Sequence, residues 1–188
     1  VTGNNAIVDW VVVELRNSVN SAQVIASRRA LLQRDGDVVD LNGLAPLTIP
    51  APPTSYHVAV RHRNHLGVMS AAPIALSATT TSVDFRNASQ ATYGTEARRT
   101  EGSRMVLWSG DVGFDGSAVY TGNANDRDLI LLAIGGVVPT NMLTGQYRQE
   151  DLNLDGQVKY AGTANDRDII LQAIGGAVPT AVRNEQLP

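Results

Sequence analysis

The sequence predicts a mainly β fold, in which an antiparallel β-sandwich precedes a small module of two calcium-binding loops and two short helices. Short apolar segments separated by turn-forming residues fill the first half of the chain. Residues 110–140 and 150–180 are repeats that align without a gap and are identical at 19 of 31 positions. Each repeat contains an acidic loop with a glycine at its turn, which is the pattern of calcium-binding loops.

Strands are expected where β-branched and aromatic residues dominate or alternate with polar ones. The segments that meet this description are 6–16, 23–33, 37–41, 55–63, 68–78 and 79–85. The Asp35-Gly36 pair predicts a hairpin between the second and the third. Several prolines between residues 46 and 53 exclude that stretch from the interior of a sheet. Strands at this spacing indicate a sandwich of the immunoglobulin-like or transthyretin-like kind over residues 1–104.

The second predicted domain covers residues 105–188. Residues 86–104 are polar and lack periodicity, so we interpret them as an irregular crossover before it. Two short apolar segments in the repeats predict helices at about 126–134 and 166–174. Each ends at a Gly-Gly pair followed by a proline, which is typical of a helix C-terminus.

Most calcium ligands follow from the twelve-residue loop, which uses side chains at positions 1, 3 and 5 and a backbone carbonyl at position 7. In the second repeat these are Asp151, Asn153, Asp155 and the carbonyl of Gln157. In the first repeat they are Asp111, Asp115 and the carbonyl of Ser117. Because Gly113 occupies position 3 there and has no side chain, we expect the second loop to bind calcium more tightly.

The closing carboxylate at position 12 comes late in both repeats. Position 12 counted from Asp151 is Gly162, so we infer an insertion of about six residues in each loop. The candidates are Asp126 and Asp128 in the first repeat and Asp166 and Asp168 in the second. We favour Asp168 and its counterpart, because an apolar residue follows directly, as the next helix requires. Asn165 or Asp166 then becomes the helix N-cap.

Composition excludes several other classes of function. The net charge is −3 and the basic residues are scattered, which argues against nucleic-acid binding. No apolar run approaches the roughly 20 residues of a membrane helix. The chain has no cysteine, so calcium rather than disulfides is the expected staple. His57, His62 and His65 do not share one face of a strand, and no GxSxG nucleophile motif occurs, so no enzyme is predicted.

The paired loops, GDVGFDG with NDRDLILLAIGG and EDLNLDG with NDRDIILQAIGG, resemble the duplicated calcium-binding repeats of dockerin-type modules. The segments VDWVVVELR, LLQRDGDVVDL and VRHRNHLGVMS make the wider chain similar to the C-terminal region of secreted haemagglutinin-like or adhesin-like surface proteins of Bacteroidetes. This resemblance implies export to the cell surface and a β-sandwich joined to a dockerin-like pair.

We therefore predict a non-enzymatic, extracellular structural or adhesive module stabilised by two calcium ions. It is a filament subunit if the apolar residues 6–13 complete the sheet of a neighbouring copy. The alternative is a glycan-binding or partner-binding appendage of a secreted hydrolase. Because the chain begins with Val1, we expect a processed protein or a fragment, with any export signal upstream.

Overall fold

One six-stranded antiparallel sheet dominates the first half of the chain in the computed structural model, which describes residues 2–188. Its strands are β1 (Ile7–Asn17), β2 (Val24–Gln33), β3 (Val38–Val39), β4 (Thr54–His62), β5 (Val68–Met69) and β6 (Ile74–Leu76). They run in the order β3-β2-β1-β4-β5, and β6 also pairs with β4. Every pair is antiparallel, so the predicted mainly β, antiparallel fold is confirmed.

Strand β1 lies in the middle of this sheet and supplies its core. Val11, Val13 and Leu15 point to one face, where they are buried with Tyr56 and Val58 of β4. The period of two in this burial is the side-chain alternation of a strand. Because β1 pairs with β2 from Ile7 to Arg16 and with β4 from Val11 to Asn17, its backbone from Val11 to Arg16 is paired on both sides within its own chain.

The central position of β1 bears on strand donation by residues 6–13. Donation of residues 6–13 to another copy requires breaking the ladder with β2 over this segment and the ladder with β4 at residues 11–13. The segment is therefore not a free end that waits for a partner. Self-association through it stays a prediction that only a measurement of assembly tests.

Irregular segments cover part of the core of the sheet. Leu47, Ile49 and Ala51 from the proline-rich stretch pack against the buried cluster of the sheet. No strand forms at 79–85, so that prediction is wrong. Its first four residues are exposed and only Val83 packs against the core, so the segment contributes one side chain rather than an alternating face.

A short hairpin lies in the stretch that was expected to be irregular. Strands β7 (Arg99–Glu101) and β8 (Arg104–Val106) pair antiparallel. Gly102 takes φ 59° between them, a left-handed conformation that glycine adopts without strain. The Glu-Gly-Ser-Arg segment was the available signal for this turn.

The chain forms two compact units. One contains the described residues up to His62, together with Gly67–Leu107 and Gln186–Pro188. The other contains Arg63–Leu66 and Trp108–Glu185, which includes both repeats. No helix among residues 2–188 is long and apolar enough to cross a membrane.

The two repeats in the second unit exchange strands. The first repeat, extended to residue 144, contributes β9 (Ser117–Val119), α1 (Asp126–Ala133) and β10 (Met142–Thr144). The second, extended likewise to residue 184, contributes β11 (Gln157–Lys159), α2 (Asp166–Ala173) and β12 (Val182–Asn184). Strand β9 pairs with β12, and β10 pairs with β11. Each repeat therefore completes a two-stranded sheet of the other.

Both predicted helices are confirmed, and they share one core. Asn125 and Asn165 cap their N-termini. Ile130 of α1 and Ile170 of α2 are fully buried in the same apolar cluster. Helices of eight residues are too short to be stable alone, so this shared packing stabilises them.

Shortening Ile130 should destabilise the second unit far more than shortening its neighbour Leu132. Ile130 is 0% exposed and Leu132 is 69% exposed on the same helix. We expect Ile130→Ala to lower the free energy of unfolding by about 2–5 kcal/mol. Leu132→Ala, the matched control, should change it by about 0.5 kcal/mol or less. Urea unfolding followed by circular dichroism measures both; equal losses would contradict the shared core.

Candidate functional site

An aspartate at the start of each acidic loop organises its turn. Oδ1 of Asp111 accepts a hydrogen bond from the N–H of Asp115 at 2.9 Å, and Oδ2 accepts one from Gly116 at 3.1 Å. Asp151 forms the same two bonds with the residues four and five positions on, at 3.2 and 3.0 Å. Both carboxylates are buried, so each loop closes around a charged group.

A second buried aspartate in each repeat returns to the loop from the start of the helix. Asp126 is 2% exposed, and its carboxylate accepts the N–H of Gly113 at 2.9 Å and that of Val119 at 2.8 Å. Asp166 is 0% exposed and accepts N–H groups from both sides of its loop at 2.7 and 2.8 Å. One side chain thus joins the two ends of each loop.

The aspartates two residues later belong to the helix caps instead. Asn125 and Asn165 accept the N–H of Asp128 and Asp168 at 3.0 and 2.9 Å, and their amide groups donate back to the same carboxylates. These carboxylates are 61% and 44% exposed. Asp168 also pairs with Arg167 at 2.9 Å. The first bond of each pair is that of a capping box, but the return bond joins two side chains and does not reach the N-cap backbone N–H.

The structure therefore brings Asp166, rather than the favoured Asp168, against its loop. The expected insertion is a turn through Gly162 that lets the chain fold back, so that the first residue of α2 meets the loop. Asn165 is the N-cap, as the sequence allowed. The same arrangement places Asp126 rather than Asp128 at the first loop.

The middle positions of the loops are more exposed. Asp115 and Asp155 each accept an N–H from the residue two positions on, at 3.0 and 2.9 Å. Asn153 accepts the N–H of Asp155 at 2.9 Å through its side-chain oxygen. Gly113 has no such oxygen. Ser117 and Gln157, whose carbonyls were predicted ligands, begin β9 and β11.

Burial raises the pKa of the four inner carboxyls. It raises the pKa of Asp126 to about 6, against the hydrogen bonds that it accepts, and repulsion by Asp111 adds to the shift. Burial likewise raises the pKa of Asp166 to about 6 and that of Asp111 and Asp151 above its usual value. Within residues 2–188, Asp111, Asp126 and Asp166 form no ion pair with a basic side chain.

The two loops differ in their charged surroundings. Burial raises the pKa of both Asp111 and Asp151; the Arg63 guanidinium opposes this shift at Asp151, whereas Glu185 adds to it at Asp111. In both cases burial is the larger effect. The first loop therefore has the more negative environment, and the second has the additional side-chain oxygen of Asn153.

Carboxylates alone do not complete a metal site here. No three His, Asp or Glu side chains within residues 2–188 come together in a group that could hold a metal ion. Calcium takes six to eight oxygens and accepts amide and backbone carbonyl oxygens as well. The residue types in each loop fit that preference: two buried carboxylates, an outer carboxylate and a carbonyl, with an amide in the second loop.

Asn64 is a site residue that no motif in the sequence singles out. Its side-chain amide donates to the carbonyls of Gln149 and Asp151, at 2.7 and 2.9 Å. Its own carbonyl accepts the N–H of Gly110 at 3.0 Å. Asn64 is fully buried and is hydrogen-bonded to residues at the start of both loops. Its partners lie 85 and 87 residues away, and no local sequence signal indicates them.

The three histidines have separate protein partners. Nδ1 of His57 lies 2.9 Å from the carbonyl oxygen of Ser70. Nε2 of His62 lies 3.0 Å from the carboxylate of Asp9, and both side chains are buried. Nδ1 of His65 lies 2.8 Å from the side-chain oxygen of Asn64.

The raised pKa values predict how pH changes the stability of the metal-free protein. Asp126 and Asp166 bind a proton more tightly folded than unfolded, so they lower the free energy of unfolding as pH rises from about 4 to about 6. An Asp126→Asn/Asp166→Asn variant should lose this component. Urea unfolding of both proteins across this range measures the difference in slope. Identical slopes would contradict the prediction.

Comparison with known protein families, with characterised proteins and with solved structures gave no significant match to this chain.

Proposed function

We propose that the second unit is a duplicated, dockerin-like calcium-binding module of a non-enzymatic, extracellular structural or adhesive protein. The observation that carries this proposal is the pair of buried aspartates in each repeat. Asp111 lies with Asp126, and Asp151 with Asp166, in two loops of matching geometry. Buried carboxylates without a cation are costly, and a divalent ion between them offsets their repulsion.

Each proposed site takes its ligands from one repeat. In the first loop they are the side chains of Asp111, Asp115 and Asp126 and the carbonyl of Ser117. In the second they are the side chains of Asp151, Asn153, Asp155 and Asp166 and the carbonyl of Gln157. Asp128 and Asp168 act as capping residues in this proposal, because their more exposed carboxylates bind the N-cap residues Asn125 and Asn165 and, among the described residues, accept no N–H from the loops.

The role of calcium in this proposal is mechanical. An ion that joins the loop to the first residue of the helix fixes the helix start, and the helix carries the isoleucines of the shared core. Metal binding and local folding are therefore coupled. Substrate turnover plays no part in this function.

The larger assignment rests on the resemblance of the chain to secreted surface proteins. In this proposal the first unit is a β-sandwich and the protein lies at the cell surface. Its partner is another copy of the chain or another surface molecule. A non-catalytic binding appendage is a second candidate. It is favoured by exposed apolar side chains of the first repeat, Leu132 and Val137, where the second has Gln172 and Ala177.

We expect two calcium ions per chain by calorimetric titration and metal analysis. Asp166→Ala should abolish binding by the second loop, whereas Asp168→Ala should leave its affinity within about tenfold and chiefly destabilise the cap. Comparing the two variants separates ligand from cap. Binding lost in Asp168→Ala but retained in Asp166→Ala would reverse the assignment, and a wild-type chain that binds no calcium would refute the proposal.

The second loop should bind calcium more tightly than the first, because Asn153 supplies an oxygen where Gly113 has none. Asp115→Ala keeps every proposed ligand of the second loop, and Asp155→Ala keeps every proposed ligand of the first. Calcium titration of the two variants ranks the two sites. The charge environment opposes this order, since Arg63 acts on Asp151 and Glu185 on Asp111. A tighter first loop would show that charge outweighs the additional ligand.

Chelation should unfold the repeats before the six-stranded sheet. The helices depend on the loops, whereas β1, β2 and β4 have a separate apolar cluster. Amide hydrogen exchange with and without a chelator should show protection lost first in 110–185. Uniform loss across the chain would mean that both units unfold together.

A further inference from the structure

Each acidic loop is held at its sharpest turn by the other repeat. The N–H of Glu185, just after β12, donates to the carbonyl of Gly116 in the first loop at 2.7 Å. The N–H of Gly145, just after β10, donates to the carbonyl of Gly156 in the second loop at 3.0 Å. Both acceptors are the loop glycines with positive φ, so the exchange reaches the residues that shape the loops.

The strand that is hydrogen-bonded to one loop follows, along the chain, the helix whose first aspartate is hydrogen-bonded to the other loop. Asp126, which closes the first loop, begins α1, and the chain then runs through a short connector into β10. This connector is hydrogen-bonded along its length. The N–H of Gly136 donates to Leu131 at 2.8 Å, and the side chain of Asn141 donates to Ile134 at 3.2 Å. Helix α1, this connector and β10 therefore form a continuous hydrogen-bonded segment from the first loop to the second.

The two loops also share their apolar support. Val112 and Leu152, the second residues of the loops, are buried in one cluster with Ile130 of α1 and Ile170 of α2. A loop that orders its own helix therefore positions side chains that pack under the other loop. The exchanged strand and the shared apolar cluster therefore both make the order of one loop depend on the other.

We propose that the two loops bind calcium with positive cooperativity, because the carboxylate that closes each loop fixes the helix and strand that hold the other. This inference rests on the proposed calcium sites and adds their mutual regulation. Coupling of this kind typically changes the second affinity by about 5- to 150-fold. By reciprocity, either loop raises the affinity of the other by the same factor.

Site-specific titration of the full chain tests the coupling. The amide resonances of Gly116 and Gly156 report on the first and second loops separately. In Asp155→Ala, the calcium affinity of the first loop should fall at least about fivefold although all its ligands remain. The reciprocal variant, Asp115→Ala, should weaken the second loop by a similar factor.

A second pair of variants tests the strand without touching any proposed ligand. Glu185→Pro removes the N–H that binds Gly116, whereas Glu185→Gln keeps that N–H and removes only the charge. Combined with Asp155→Ala, Glu185→Gln should preserve the fivefold or larger effect on the first loop. Glu185→Pro should reduce it to less than about twofold.

The outcomes separate this inference from the calcium proposal. If the wild-type chain binds two calcium ions but Asp155→Ala does not change the affinity of the first loop, the coupling is overturned and the proposed sites remain. Coupling that survives Glu185→Pro, or that Glu185→Gln removes equally, overturns the role of the strand. A wild-type chain without calcium binding overturns both proposals. Amides of β1 serve as the folding control in every variant.

Discussion

The buried carboxylate at the start of each helix is the constraint on which the second unit depends. Asp126 satisfies backbone N–H groups on both sides of its loop and is also the first residue of α1. Removing that side chain leaves buried donors without a partner and takes an acidic group from the helix N-terminus. Loop shape, helix start and core position therefore depend on one charged group, whose burial must be offset by a proton or a cation.

Strand exchange explains why the duplication forms one unit. A single repeat has a helix of eight residues and two short strands that do not pair with each other. Alone it leaves the edges of β9 and β10 without partners and half of the Ile130–Ile170 cluster uncovered. Fusing two copies supplies the missing strand and the missing core face together. The module is the pair, and neither copy has a complete hydrophobic core.

The sequence contained the signals that act locally and lacked those that act at a distance. The helices were predictable because the apolar segment and its Gly-Gly end lie next to each other. The choice between Asp166 and Asp168 was not, because an acidic residue suits both a cap and a loop, and only the fold-back turn decides which side chain is buried. Asn64 was hidden, since a buried amide that holds distant carbonyls resembles an ordinary turn residue.

The differences between the repeats follow from the same constraint. The inner aspartates and capping asparagines are identical in both, because changing one would leave buried polar groups without partners. The outer face of the helices has no such requirement. Leu132 and Gln172 occupy equivalent exposed positions and differ freely in chemistry. A duplicated module can therefore keep its fold while the outer faces of its two helices present different side chains.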